Sequence, residues 1–351
     1  MTDTFVPKTY GNYDVIVAGG GHNGLVSACY LARSGLKTLV VEAHATPGGM
    51  TSTNPMAPEA PEHIINEASI HASLFRVSPI AKELELETKF GLRQRLIDPC
   101  HVQLAADGDA SIAMWNDANK TAEEIKHFSK KDARAWLEMS ETIDRAMKIG
   151  LPIATDNIQR PKISTIVKIL AGAARHGRHI PALVRLMTNT HAGALEEMFE
   201  SDIVRACLLT GLPFMDFKQD TSAFCMIYLA ALQSTGISMF EGGTGAFPAS
   251  LIRCLEASGG EVRCNAKVKE MKVEGERVTG VILENGEEII AKHGVVTAFS
   301  PKMVLNHMLP DGMLDHKTTV KAKHIRRCVP RGHIGLCVGM VGVFIVPPCG
   351  G

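Results

Sequence analysis

Residues 13–53 read YDVIVAGGGHNGLVSACYLARSGLKTLVVEAHATPGGMTST. Asp14 to Ala18 is a short apolar run, too short for a helix, that leads straight into glycines, as a buried parallel strand feeding a phosphate loop does. Gly19, Gly21 and Gly24 form G-x-G-x-x-G. The first glycine permits the tight turn, the second lets backbone approach a pyrophosphate, and the third lets helix lie close on strand. Ala28 and Ala32 continue from Gly24 at four-residue spacing, giving the helix a face of small side chains, and Gly35 ends it. Leu39 to Val41 is a second buried strand, and it stops at Glu42, eighteen residues past the third glycine. A carboxylate there accepts hydrogen bonds from ribose hydroxyls and repels a 2′-phosphate, so NADP is disfavoured. The helix N-terminus at His22 and Asn23 offers free N–H groups and partial positive charge to a pyrophosphate. Strand, glycines, small-faced helix, strand and terminal acid in register identify an α/β dinucleotide site.

Gly48, Gly49, Met50 and Thr51 follow closely. With them the stretch resembles the FAD fingerprint of the glutathione-reductase-like flavoproteins, in particular the phytoene desaturase/phytoene dehydrogenase-like and amine oxidase branch. In that branch the G-G and a nearby Ser or Thr contact the flavin side of the cofactor. Ser78-Pro79 is expected to start a helix over Ile80 to Glu87, Val102 to Met114 to form a hairpin across Asp107-Gly108, and Asn116 to Met147 to be helical. The resemblance continues through His71, Ser78-Pro79 and Gly91-Leu92, through the Phe128–Trp136 helical stretch, and through Glu241–Pro301. This last run is a G-G-x-G turn (Gly242, Gly243, Gly245), a helix ended by Gly259-Gly260, strands, and a hairpin across Asn285-Gly286 expected as a type I′ turn. It implies a Rossmann-like FAD/NAD(P)-binding domain of the glutathione-reductase type with a β-meander insertion and a mixed, largely helical substrate domain. Implied segments are 1-75 and 236-301 for FAD binding, 76-235 for substrate, and 302-351 as the start of a substrate-domain return. The resemblance also implies adenine contact by the backbone of Val268, and a place beside the flavin ring for His71, a side chain able to titrate near neutrality.

The expected activity is FAD-dependent removal of a hydride from a C–H bond of an apolar or amine-like substrate. A second strand-coupled G-x-G-x-x-G does not occur, so oxygen, a quinone or a protein is the expected electron acceptor. The alternatives on the same fold are a non-catalytic lipid or prenyl-group carrier of the GDP-dissociation-inhibitor type, against which the intact glycine set with Glu42 weighs, and an inactive truncated fragment.

Composition narrows the classes further. The 351 residues carry 37 basic and 37 acidic side chains, which gives nucleic acid no electrostatic footprint. Nine cysteines show no C-x-x-C pair and no metal spacing, arguing against disulfide chemistry and for a reducing compartment, the cytoplasm. Residues 1–13 show neither the basic nor the apolar region of a signal peptide and no apolar run reaches membrane length, so neither a leader nor a membrane span is expected. Asn157 to Leu195 holds six Arg and Lys residues and no acid among many aliphatics, a basic amphipathic stretch suited to peripheral membrane contact. Glu196 to Ser234 is apolar enough to line a substrate cavity. Resemblance fails after Arg326, and the glycine- and cysteine-rich 327-351 tail is expected to be a truncated or frameshifted continuation.

Overall fold

A computed structural model describes residues 9–55, 57–69, 71–72, 75–76, 78–104, 111–154, 156, 160–210, 235–325 and 344–345. Its strands are β1 (Thr9–Ala18), β2 (Thr38–Val41), β3 (Thr53–Pro55), β4 (Ile64–Asn66), β5 (Gln94–Ile97), β6 (His101–Leu104), β7 (Ser111–Met114), β8 (Ile237–Phe240), β9 (Glu261–Arg263), β10 (Val268–Glu274), β11 (Arg277–Leu283), β12 (Glu288–Thr297) and β13 (Phe344–Ile345). The principal helices are α1 (His22–Arg33), α2 (Ile80–Glu83), α3 (Ala118–Lys126), α4 (Lys130–Ala154), α5 (Ile163–His176), α6 (Ile180–Thr188), α7 (His191–Met198), α8 (Asp202–Thr210), α9 (Ala246–Ala257) and α10 (His316–His324).

The main sheet runs β10-β11-β12-β1-β2-β9, with β13 also on β12. β12, β1, β2 and β9 are parallel, Val17 lying between Val296 and Val40, while β10 and β11 extend from β12 as an antiparallel meander. Alternation along β1 sends Val15 and Val17 to one face and Ile16 and Ala18 to the other. On the first face α1 and α9 bury Leu25, Ala28, Ala32, Phe247, Leu251 and Leu255. On the second, the meander and the turn after it supply Met271, Val281, Ile289, Val304 and Met308. This is the Rossmann-like α/β architecture with a β-meander, and its parallel strands end where the glycine loop begins.

A second core belongs to the helices. Trp136, Ile125 and Ile143 are fully buried with Leu195, Phe199 and Val204. The single helix expected over residues 116–147 is two, α3 and α4, because Ser129 interrupts it and its hydroxyl accepts from Asp132 N at 3.0 Å as a new N-cap. The wholly buried Asp132 then accepts from Glu200 N at 2.8 Å and Ser201 N at 2.9 Å, fixing the chain into α8. Asp132→Ala leaves both N–H groups unpaired and is expected to destabilise the protein by about 2–4 kcal/mol, read as a lowered midpoint in urea unfolding.

Two local expectations are corrected. The helix at Ser78-Pro79 is one turn only, since the Ser78 hydroxyl donates to Phe75 O (2.8 Å) instead of capping and Glu85 enters the left-handed region at φ 55°. Leu84 and Leu86 are buried nonetheless. At Asn285-Gly286 only Gly286 has positive φ (81°), and Leu283 N donates to Glu287 O at 2.9 Å. A type I′ turn needs positive φ at both central residues, so this hairpin closes instead through a three-residue loop with glycine in the left-handed position. The Asp107-Gly108 turn, residues 211–234 and, apart from Phe344 and Ile345, the 327-351 tail lie outside the described residues.

Candidate cofactor-binding site

The glycines of the first loop do separate work. Gly19 turns at φ 104° with its N–H on Val41 O at 2.8 Å. A Cβ on Gly24 would sit 2.0 Å from Gly19 O, so only glycine lets α1 start this close to β1. A Cβ on Gly21 would meet nothing within 4 Å. That open ground at the N-terminus of α1 is where backbone N–H groups face an anion.

Gly48 and Gly49 pack against this loop. Gly48 N donates to Gly20 O at 2.9 Å, Gly21 and Gly48 form a parallel bridge, and a Cβ on Gly49 would lie 3.3 Å from Gly21 Cα. Both take positive φ, 141° and 55°, which a side chain would strain. Thr51 is buried and donates its hydroxyl to Gly48 O at 2.8 Å, holding the turn. Met50, half exposed beside it, receives Ser69 N at 2.9 Å through its carbonyl.

Glu42 is 8% exposed at the end of β2. Its Oε2 accepts from Gly20 N at 2.7 Å and its Oε1 from His44 N at 2.9 Å. The carboxylate therefore shapes the glycine loop itself, and each oxygen keeps a lone pair for a ribose hydroxyl. Ala266 N donates to Glu42 O (2.7 Å) and Asn265 N to His44 O (3.1 Å), so Val268, buried at the start of β10, shares this edge. Replacing Glu42 by Ala strands Gly20 N and is expected to cost about 1–3 kcal/mol of stability, with a tenfold or greater loss of dinucleotide affinity in a fluorescence titration.

The second glycine landmark proves to be a latch. Asn66 Oδ1 accepts from Thr53 Oγ1 (2.9 Å), Thr244 N (2.9 Å) and Thr244 Oγ1 (3.1 Å), while Gly245 N donates to Thr53 Oγ1 at 2.7 Å. A Cβ on Gly243 would strike Thr53 at 2.7 Å and Asn66 Oδ1 at 2.9 Å. Residues 242–245 thus lie directly on the end of the first motif. Sequence reasoning had the glycines but not Asn66 or Thr53, whose partners are 178 and 192 positions away.

His71 lies between Ser69, bonded to Met50, and Ala72, whose N–H donates to Ser238 O at 2.8 Å. It is half-buried near the Gly48–Thr51 turn, and burial pushes its pKa below the usual 6.5. Burial does the same to His22 in the first turn of α1 and to His191 in the helical core. Each is neutral when folded near pH 7, and the unfolded chain binds the extra protons. Stability contributed this way is complete above about pH 6.5 and is lost as pH falls below it. Unfolding midpoints are accordingly expected to drop between pH 7.5 and pH 5.5, with histidine titration midpoints below 6.5 by NMR.

Cys29, solitary in sequence, meets Cys254 between α1 and α9 and bonds Leu251 O at 3.2 Å. Burial pushes both thiols up, which suppresses the thiolate that redox exchange needs. No group of His, Cys, Asp and Glu among the described residues could hold a metal.

The family model described as flavin containing amine oxidoreductase matches residues 24–328. Pyridine nucleotide-disulfide oxidoreductase domain-containing protein 2 of Mus musculus is 27% identical over 363 residues, covering 96% of this chain and 61% of the mouse protein. Hydroxyneurosporene desaturase of Cereibacter sphaeroides is 25% identical over 312 residues, covering 86% of this chain and 59% of that protein. The chain thus spans about three fifths of these relatives. Among solved structures, putrescine oxidase bound to putrescine superposes with a TM-score of 0.55 at 20% identity, over 90% of this chain and 64% of that one. Cyclohexylamine oxidase from Brevibacterium oxydans IH-35A gives 0.51 at 19% identity, over 89% and 63%. These two likenesses show the fold. The open ground over Gly21, the Glu42 acceptor and the paired glycine turns fit the dinucleotide part of FAD. By the match across 24–328, most of its length, the chain belongs to the flavin-containing amine oxidoreductase family.

Proposed function

We propose that the protein is an FAD-dependent oxidoreductase that removes a hydride from a C–H bond of an apolar or amine-like substrate. The observation that carries this is the joined loop pair, in which Gly20 bonds both Glu42 and Gly48 while the space over Gly21 stays open. Gly19, Gly21, His22, Asn23 and Gly24 hold the pyrophosphate, Glu42 the ribose, the Val268 edge the adenine, and Gly48, Gly49, Met50 and Thr51 the flavin side. When bound, the flavin supplies the hydride acceptor. The chain's own part is to orient it, exclude water and keep His71 neutral beside the Gly48–Thr51 turn. Residues 1-75 and 236-301 form the cofactor half and 76-235 the substrate half.

The test is flavin content. The purified 351-residue chain, as isolated or refolded with FAD, is expected to bind FAD in equimolar amount and to ignore NADP. Protein that takes up no flavin under either condition overturns the reading, whereas stoichiometric flavin sets aside the carrier alternative. Loss of flavin colour without oxygen, across a panel of amines and unsaturated hydrocarbons, then identifies the substrate class.

A further inference from the structure

Helix α5 packs in the reverse of the usual sense. The side it turns inward carries Thr165, buried, with Ile169 and His176 half-buried. Its large aliphatics, Ile163, Ile166, Val167 and Leu170, recur at the i, i+3, i+4, i+7 spacing of a single stripe and face outward, with Ile163 81% and Leu170 64% exposed. Ile180 and Val184 of α6 are exposed as well, one turn apart. A soluble helix normally buries such a stripe, and six aliphatic side chains left outside mark an interaction surface.

Charge says what covers it. The whole chain is balanced, yet residues 157–195 hold six Arg and Lys and no Asp or Glu. Arg185 is answered by Glu197 at 3.0 Å. Among the described residues Lys162, Lys168 and Arg175 have no ion-pair partner, and Lys168 and Arg175 flank the stripe along one side of α5. A second copy of this surface would set like charges against each other. A surface of anionic lipid headgroups answers them, while the aliphatics enter the acyl boundary. No helix among the described residues is long and apolar enough to cross a membrane, and α5, about 21 Å long at 1.5 Å per residue, suits an in-plane position.

We infer that the α5–α6 face, led by Ile163, Ile166, Val167 and Leu170 with Lys168 and Arg175, binds the surface of anionic membranes with α5 lying in the interface. The inference stands apart from the flavin reading, since it uses no residue of the cofactor site.

The test is co-sedimentation of the full chain with vesicles of phosphatidylcholine alone or mixed with phosphatidylserine, at low and high salt. Binding is expected to the mixed vesicles only and to weaken with salt. Lys168→Glu/Arg175→Glu is expected to weaken it about tenfold or more, at roughly 1 kcal/mol per basic residue, and Ile166→Ser/Leu170→Ser to abolish it. These side chains are exposed, so circular dichroism and unfolding midpoints stay at wild-type values. Should a pair misfold, Lys168→Gln/Arg175→Gln and Val167→Ser take its place. Equal binding to both vesicle types, no binding at all, or a wild-type dimer that the serine pair dissolves would each overturn the inference.

Discussion

Gly24→Ala is expected to yield protein that is destabilised and free of flavin, while Gly21→Ala yields protein that is folded and free of flavin. The two glycines stand three residues apart in one motif and fail for different reasons. A methyl on Gly24 would lie 2.0 Å from the carbonyl oxygen of Gly19 and 3.1 Å from Ala298 Cβ. Backbone cannot give way as the tip of a side chain can, so α1 must lift off β1, and overpacking of this kind costs about 3 kcal/mol. A methyl on Gly21 meets no protein atom, and Gly21 already holds an extended φ of −68° as the N-cap of α1, so folding loses under about 1 kcal/mol. The same methyl fills the space an anion needs to reach the α1 N–H groups. Two charge-assisted bonds lost there, at about 1.5–3 kcal/mol each, lower FAD affinity by about 100-fold or more. Urea unfolding of the apoproteins and flavin titration of the folded ones separate the two effects. Equal stability for both variants would contradict the close approach at Gly24.

What was legible in the sequence depended on range. The β1–α1–β2 unit declares itself because its rules act within a few residues: strand length, glycine spacing, the small-residue face of α1 and an acid at a strand end. The meander was legible for the same reason, through alternation and glycine turns. Where the reading missed, a longer-range partner decided the local structure. Helix α2 stops early because Leu86 closes back on the buried cluster that α9 supplies, with Glu85 left in a left-handed turn. The break between α3 and α4 is made by Ser129 and Asp132, and Asp132 takes its partners from residues 200–201. Glu42 was legible as an acid in the right place, but not as the acceptor that shapes Gly20, since one oxygen can serve the fold and still face a ligand.

Asn66→Ala is expected to be as damaging as Asp132→Ala, although nothing in its immediate sequence distinguishes it. One amide oxygen satisfies the Thr53 hydroxyl, the Thr244 hydroxyl and the Thr244 backbone N–H. Its loss leaves a backbone donor and two hydroxyls to find other partners at the seam between the first motif and residues 242–245. Counting about 1 kcal/mol for the two hydroxyl bonds together, since each hydroxyl can turn to another partner, plus about 1–3 kcal/mol for the stranded N–H, the expected destabilisation is about 2–4 kcal/mol. Gly243 and Gly245 are moulded to this seam, with Cβ clearances to Thr53 of 2.7 Å and 3.2 Å, so the two segments lie in close contact there. The consequence for function is a weaker flavin site in protein that still folds, because Thr53 directly follows the Gly48–Thr51 turn by way of Ser52. Asn66→Asp keeps the acceptor and should recover most of the stability, whereas Asn66→Leu, similar in bulk but lacking the oxygen, should not. In a double-mutant cycle with Thr53→Val the two losses are expected to be strongly non-additive, since both residues act through the same bonds. Additive losses, or an Asn66→Leu protein as stable as wild type, would mean that the glycine landmark is held by its helix alone.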